Sequence, residues 1–417
     1  MQISSMSVLV AICVLAQVVP VKAQHNQLTW KSFYPSGKLF PCAAYSSTLS
    51  PSLWPKLRDA GILILGPEYE NTRSAPYAAA KAGFATISTI DTLVKFSGRN
   101  LDLLSKDTLN RSFLEKEMGE TSSLKEVIGW YLLPEEIRHW RERELRFFKS
   151  ATTAVKSSDP LRRPVFTYDP GNRDAKAMVA TGRYEDILVR GIYPNYAGYQ
   201  DKRGYVRWSI DEMRKAQVEL SREGHKILLW PALEMFANPP SKNVPIATLV
   251  RHDVISVLAG GAQGLVIFSM RQRSGFTDYD EYLRAYIEVF SLVCGNSALG
   301  TALVFGKRSD LQEITSVKKQ DTTFTMNGEK FYVPAVRGTI VTHNHHAWLI
   351  IVNSSNYRRS SRWGDLHLNQ APALLKYDKA SKTLVSDLGP LQAEIIKLDC
   401  VSPKSCVIPT PNEIKNK

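Results

Sequence analysis

The chain has 417 residues, of which 44% are hydrophobic and 22% charged, with 24 glycines, 22 prolines and a formal net charge of +13. That composition excludes a disordered, collagenous or coiled-coil chain, and the length suits two domains or one large barrel with an appendage. The positive charge favours anionic partners, but the basic residues are scattered in short pairs such as Arg162-Arg163, Lys318-Lys319 and Arg358-Arg359. No long basic run with interleaved aromatics exists, which argues against nucleic acid as a partner.

Residues 1–23 read as a secretory signal peptide: an apolar run from Val8 to Val21, then Val21-Lys22-Ala23 before Gln24. The run falls short of the about 20 apolar residues a membrane span needs. Cleavage there leaves a chain of +12, expected to be secreted or periplasmic, without a membrane partner. Four cysteines remain, Cys42, Cys294, Cys400 and Cys406. The last two are close enough for a local disulfide, while Cys42 and Cys294 either pair or stay buried. Asn110-Arg-Ser and Asn353-Ser-Ser are glycosylation acceptors in a eukaryotic host.

From Phe40 onward, short β-rich runs alternate with amphipathic helical patterns. The runs begin at Phe40, Ile62, Phe84, Ile128, Pro164, Ile187, Ile227 and Gly264. Between them the periodicity predicts helices over Pro51–Ala60, Arg73–Ala82, Glu135–Val155, Ile210–Arg222 and Val244–Ala259, with Gly61 and Gly83 closing the first two. Runs apolar on both faces and separated by helices predict parallel strands buried on both sides, and eight such units match a (β/α)8 TIM barrel over residues 24–297. An open doubly wound sheet would carry a glycine-rich phosphate turn after an early strand, and none is present. After residue 298 strand-like stretches follow one another, with Asn327-Gly328 as a hairpin turn, and predict a C-terminal antiparallel β-sandwich over residues 298–417.

In such a barrel, chemistry sits at the C-terminal ends of the strands. The fourth strand ends Leu133-Pro134-Glu135-Glu136, and the seventh ends Leu233-Glu234-Met235. A carboxylate inside an apolar run is costly to bury unless it is paired or used. Glu135 is preferred over Glu136 because it lies nearer the strand; either residue also suits a helix's first turn. Two carboxylates facing across a pocket are the equipment of glycoside hydrolysis.

This arrangement resembles the retaining glycoside hydrolases of clan A, whose barrels carry a glutamate pair at the ends of strands four and seven. The resemblance covers barrel order, the trailing β-domain and the positions of Glu135 and Glu234. It implies Glu135 as acid/base and Glu234 as nucleophile. Pro134 stands where the clan commonly has Asn, which marks a divergent member.

Other strand ends offer sugar contacts: Tyr45 after strand one, Glu68 after strand two, Tyr168, Asn172 and Arg173 after strand five, and Tyr193 after strand six. Trp230 lies in strand seven, and Arg271 and Arg273 follow strand eight. Rings stack on sugar faces, and Asn and Arg orient by hydrogen bonds. Arg271 and Arg273 suit an acidic glycan such as a uronate or sulfated polymer, with ordinary surface charge as the alternative. His343 and His345 share one face of a strand and are the only pair there able to share an ion; no metal or other cofactor is called for. A serine-esterase elbow, a zinc-protease motif and a P-loop are all missing. The expected activity is therefore glycosidase, with a polysaccharide lyase on the same barrel or a non-catalytic glycan-binding protein as alternatives.

Overall fold

A computed structural model of the chain describes residues 40–45, 50–67, 74–91, 116, 118–133, 135–199, 203–240, 242–313, 321–364, 366, 368–369 and 375–399. The leader, Glu68, Asn110, Pro134, Cys400 and Cys406 lie outside them.

Eight parallel strands form the barrel: β1 (Cys42–Ala44), β2 (Ile64–Leu65), β3 (Ala85–Asp91), β4 (Val127–Leu133), β5 in two pieces (Val165–Phe166 and Tyr168–Asp169), β6 (Ile187–Ile192), β7 in two pieces (Leu228–Leu229 and Ala232–Glu234) and β8 (Leu265–Phe268). Each strand pairs in parallel with the next, and β8 pairs with β1 to close the ring. The interruptions fall at Thr167 and at Trp230-Pro231, where proline removes a ladder donor. Alternate residues explain why both faces are apolar. Ala43, Ile64, Ile87, Phe166, Val189, Ala232 and Val266 fill the interior. Ala44, Leu65, Leu188, Leu233 and Ile267 pack outward into the helix layer.

The helices are α1 (Trp54–Asp59), α2 (Ser74–Lys81), α3 (Glu142–Ser158), α4 (Ala175–Gly182), α5 (Gly204–Arg222), α6 (Ile246–Gly260), α7 (Tyr279–Val293) and α8 (Ser297–Phe305). Gly61 and Gly83 take φ of 80° and 83° after α1 and α2, a backbone region open to glycine at no steric cost. The helix expected from Glu135 starts seven residues later. Residues 135–141 are instead a loop fixed by the buried Glu144 carboxylate, which accepts from the backbone N–H of Arg138 at 2.8 Å and its Nε at 2.7 Å. No single described helix is long and apolar enough to cross a membrane.

The antiparallel strands are β9 (Lys307–Asp310), β10 (Asp321–Met326), β11 (Glu329–Pro334), β12 (Val336–His343), β13 (His346–Asn353), β14 (Arg359–Trp363), β15 (Lys376–Asp378), β16 (Thr383–Leu388) and β17 (Ala393–Leu398). They make a four-stranded sheet β9-β12-β13-β17, a three-stranded sheet β14-β16-β15 and the hairpin β10-β11. Ile340, Leu349 and Ile351 of the larger sheet pack against Trp363, Leu384 and Leu388 of the smaller one, forming the sandwich. Its other face, with Val341, Trp348, Ile350 and Val352, joins the barrel's helix core. The hairpin turns at Asn327-Gly328, both at positive φ (51° and 82°), as the sequence predicts. Strands β9 and β14 escape sequence patterning because their residues, Lys-Arg-Ser-Asp and Arg-Ser-Ser-Arg-Trp, are mostly polar; both are edge strands, where polar side chains are tolerated.

Two expectations change here. Asn353 is fully buried, and its side-chain amide donates to the carbonyls of Tyr357, Leu388 and Gly389, so it is no glycan acceptor. His343 does not share a face with His345, because Asn344 at φ 53° turns the chain and pairs His343 with His346. Among the described residues no cluster of three or more His, Cys, Asp or Glu could hold a metal ion.

Cys42 of β1 and Cys294, just after α7, form a disulfide across a sequence separation of 252 residues. A loop that long restricts the unfolded chain by about 5 kcal/mol in the chain-entropy picture. Replacing both cysteines by alanine is expected to lower the thermal midpoint by several degrees; an unchanged midpoint, or thiol reagent labelling Cys42 and Cys294 themselves in the unreduced, unfolded chain, would refute the pairing.

Candidate functional site

Glu135 sits one residue past the strand-four proline and is half-buried in the barrel mouth. Its carboxylate accepts from the hydroxyl of Tyr45, at the end of β1, at 2.9 Å and from the hydroxyl of Tyr131 on β4. Tyr131 and Leu133 point inward, and Glu135 keeps their parity, which is why a strand residue four positions earlier reaches it. Glu136 is exposed at φ 59°, its amide donating to the Tyr168 carbonyl at 3.0 Å. The left-handed residue turns the second glutamate out of the mouth.

Aromatic rings surround the carboxylate. Tyr45 meets Phe268 edge-on at 4.6 Å and Tyr131 at 6.0 Å. Phe268 continues to Phe236 at 5.4 Å and to Tyr193 at 5.5 Å, and Phe236 meets Tyr196 at 5.4 Å. Tyr168 and Tyr193 stack at 6.1 Å, with Gly191 beneath Tyr168 in a space a Cβ would fill. Burial pushes the phenols of Tyr131, Tyr168 and Tyr193 above the ordinary tyrosine range. Arg273 lies over the Phe236 and Phe268 rings at 5.2 and 5.5 Å, its Nη2 donating to Ser269 Oγ at 2.7 Å.

Glu234 ends β7 but keeps different company. It is 4% exposed, and its oxygens accept from the backbone N–H groups of Asn195 at 2.8 Å and Tyr196 at 2.9 Å. Tyr286 donates to its carbonyl at 2.8 Å, and the charges of Arg203 and Asp253 act on it from the helix layer. Desolvation raises its carboxyl to about 8, against the pull of the two amides. In this arrangement Glu234 pins the loop after β6.

Several residues expected at the sugar site are placed elsewhere. Trp230 is 1% exposed inside the barrel, its ring over Gly264, and belongs to the core instead of a subsite. A tryptophan at the break in β7 finds room there because glycine precedes β8. Arg173 is buried and paired with Asp169 and the Ile137 carbonyl, so its guanidinium serves the scaffold. Asn172 and Arg271 are exposed at the rim. Phe236, Phe268 and Tyr131 form the floor without having been singled out in the sequence. The signal was parity with Glu135 for Tyr131 and strand-end position for Phe268.

No protein-family model matches the chain, and no curated protein matches its sequence. Among solved structures, the chain is similar to the noncanonic maltogenic alpha-amylase AmyB from Thermotoga neapolitana, at 11% identity, a TM-score of 0.51, and coverage of 87% of this chain and 98% of that one. It is also similar to AmyP in complex with maltose, at 8% identity, a TM-score of 0.50, and coverage of 91% and 99%. The likeness is one of fold. It spans the barrel together with the added β-domain.

Because Glu234 keeps its proton in the folded chain up to about 8 and an unfolded glutamate loses it near 4.5, folding is favoured by this group below 4.5, and that contribution disappears as pH rises to 8. Glu234→Gln leaves one acceptor for the two N–H groups, so its urea midpoint should lie below the wild type's at pH 5; between pH 5 and pH 9 the wild type should lose stability that the variant, with no proton to release there, keeps. The comparison with wild type separates it from Glu185, which burial also raises to about 8. The same loss between pH 5 and pH 9 in both proteins would show that Glu234 is ionised in the fold at no cost.

Proposed function

We propose that this chain is a secreted glycoside hydrolase that cleaves an oligo- or polysaccharide at the barrel mouth, with Glu135 as acid/base and Glu234 as its second carboxylate. The observation that carries the reading is Glu135: a carboxylate at the end of strand four, oriented by hydroxyls from β1 and β4 inside an aromatic mouth. Rings there offer stacking faces to a sugar, and an oriented carboxyl is what protonation of a glycosidic oxygen requires. The bound maltose of AmyP supports a carbohydrate as the ligand of this fold. The Cys42–Cys294 bridge supports an oxidising compartment, in keeping with the leader.

In the retaining form of the reaction Glu234 attacks the anomeric carbon. For that, the loop carrying Asn195 and Tyr196 has to yield an oxygen, and the carboxyl has to ionise, so the rate should climb as pH approaches 8. The same engagement of both oxygens favours a second reading, a barrel that binds glycan without cleaving it. The eliminative alternative has less support: the buried phenols of Tyr131 and Tyr193 are poor bases at neutral pH, and Arg173 is already paired.

Reducing-end release from neutral and acidic polysaccharides tests the reading. Glu135→Gln should lower turnover by about 10²–10⁴-fold with an unchanged thermal midpoint. Wild-type turnover retained in Glu135→Gln would remove it from the chemistry. Binding without any release by the wild type would establish the glycan-binding reading.

A further inference from the structure

Two large rings on the loops after β4 and β6 are exposed where an apolar side chain has no folding reason to be. Trp140 is 66% exposed and Tyr196 73%. Neither sits on a slack loop. The segment before Trp140 is held by buried Ile137, whose carbonyl accepts from Arg173, and by Arg138 on Glu144. His139 meets the indole edge-on at 4.8 Å and 88°, which braces the ring. Tyr196 is fixed through its amide on Glu234, and the turn closes with Ala197 N–H on the Tyr193 carbonyl and Tyr199 N–H on that of Pro194. A rigid backbone presenting a bare ring is the arrangement of a stacking platform.

The two rings also belong to loops at the barrel end that carries the carboxylate. Trp140 follows strand four on the loop that starts with Glu135. Tyr196 follows strand six and is joined to Glu135 by unbroken ring contacts through Phe236, Phe268 and Tyr45. Strands two apart in a sheet are separated by roughly 10 Å, wider than a single pyranose ring.

We infer that the substrate is a glycan chain of several sugars laid across the mouth, stacked on Trp140 to one side of Glu135 and on Tyr196 to the other. The inference deepens the sugar-cleaving reading and rests on it. A chain held on both sides of the carboxylate is cut between two held sugars.

Native electrophoresis through gels containing soluble starch, β-mannan or polygalacturonate measures this directly, with the full chain and its Trp140→Ala, Tyr196→Ala and Trp140→Phe variants. Both sites are exposed, so thermal midpoints should stay at the wild-type value. The expected result is retardation of the wild type by one polymer, an affinity about tenfold lower in each alanine variant, and recovery in Trp140→Phe. Glu135→Gln should be retarded like the wild type while losing cleavage. Alanine variants retarded as strongly as the wild type would overturn the platforms. A wild type retarded by none of the polymers would overturn the chain-binding inference, and cleavage of short aryl glycosides, lost in Glu135→Gln, would then show the hydrolase reading to stand without it.

Discussion

Buried carboxylates bonded to backbone amides hold the rim of this barrel in shape. Glu144, 1% exposed, accepts from the amide of Arg138 and fixes the loop after strand four; Glu234, 4% exposed, accepts from the amides of Asn195 and Tyr196 and fixes the loop after strand six. A loop amide facing the protein interior needs an acceptor, and a buried carboxyl needs donors, so each group offsets part of the other's desolvation cost. Glu135 and the rings of Trp140 and Tyr196 are carried by these two loops. Their geometry depends on those bonds before it depends on anything they touch.

The floor beneath them is built by residues that make room. Gly191 lets the Tyr168 ring lie across β6, and Gly264 accepts Trp230 inside the barrel. Tyrosine then does two things at once: its ring packs like a core side chain, and its hydroxyl reaches the mouth, as Tyr45 and Tyr131 do at Glu135. Burial keeps the phenols of Tyr131 and Tyr193 protonated, so they act as donors that orient instead of bases that react. The β-domain continues this core from outside. One of its sheets is apolar on both faces, and Arg308 donates to the carbonyls of Leu258, Ala262 and Leu303 at the ends of α6 and α8.

Much of this architecture is legible from residues alone. Parallel strands buried on both sides must be apolar throughout, so runs such as Gly264–Phe268 announce themselves, and Gly61 and Gly83 mark helix ends by the backbone they permit. Short polar edge strands such as Lys307–Asp310 carry no such mark. Local pattern puts the start of α3 too early because a glutamate after proline suits a helix's first turn, whereas Glu144, six residues after Arg138, claims that amide for a loop.

By itself the sequence determined that the barrel strands are apolar on both faces, the barrel followed by antiparallel strands, the hairpin at Asn327-Gly328, and a carboxylate at the end of strand four. Those follow from local periodicity and turn chemistry. Only the tertiary structure decided that Glu135, not Glu136, enters the mouth, that Glu234 holds a loop, that Trp230 and Arg173 belong to the scaffold, and that Cys42 joins Cys294. Each of these depends on a partner far away in the chain, and no local pattern encodes which distant amide, ring or thiol a side chain will meet.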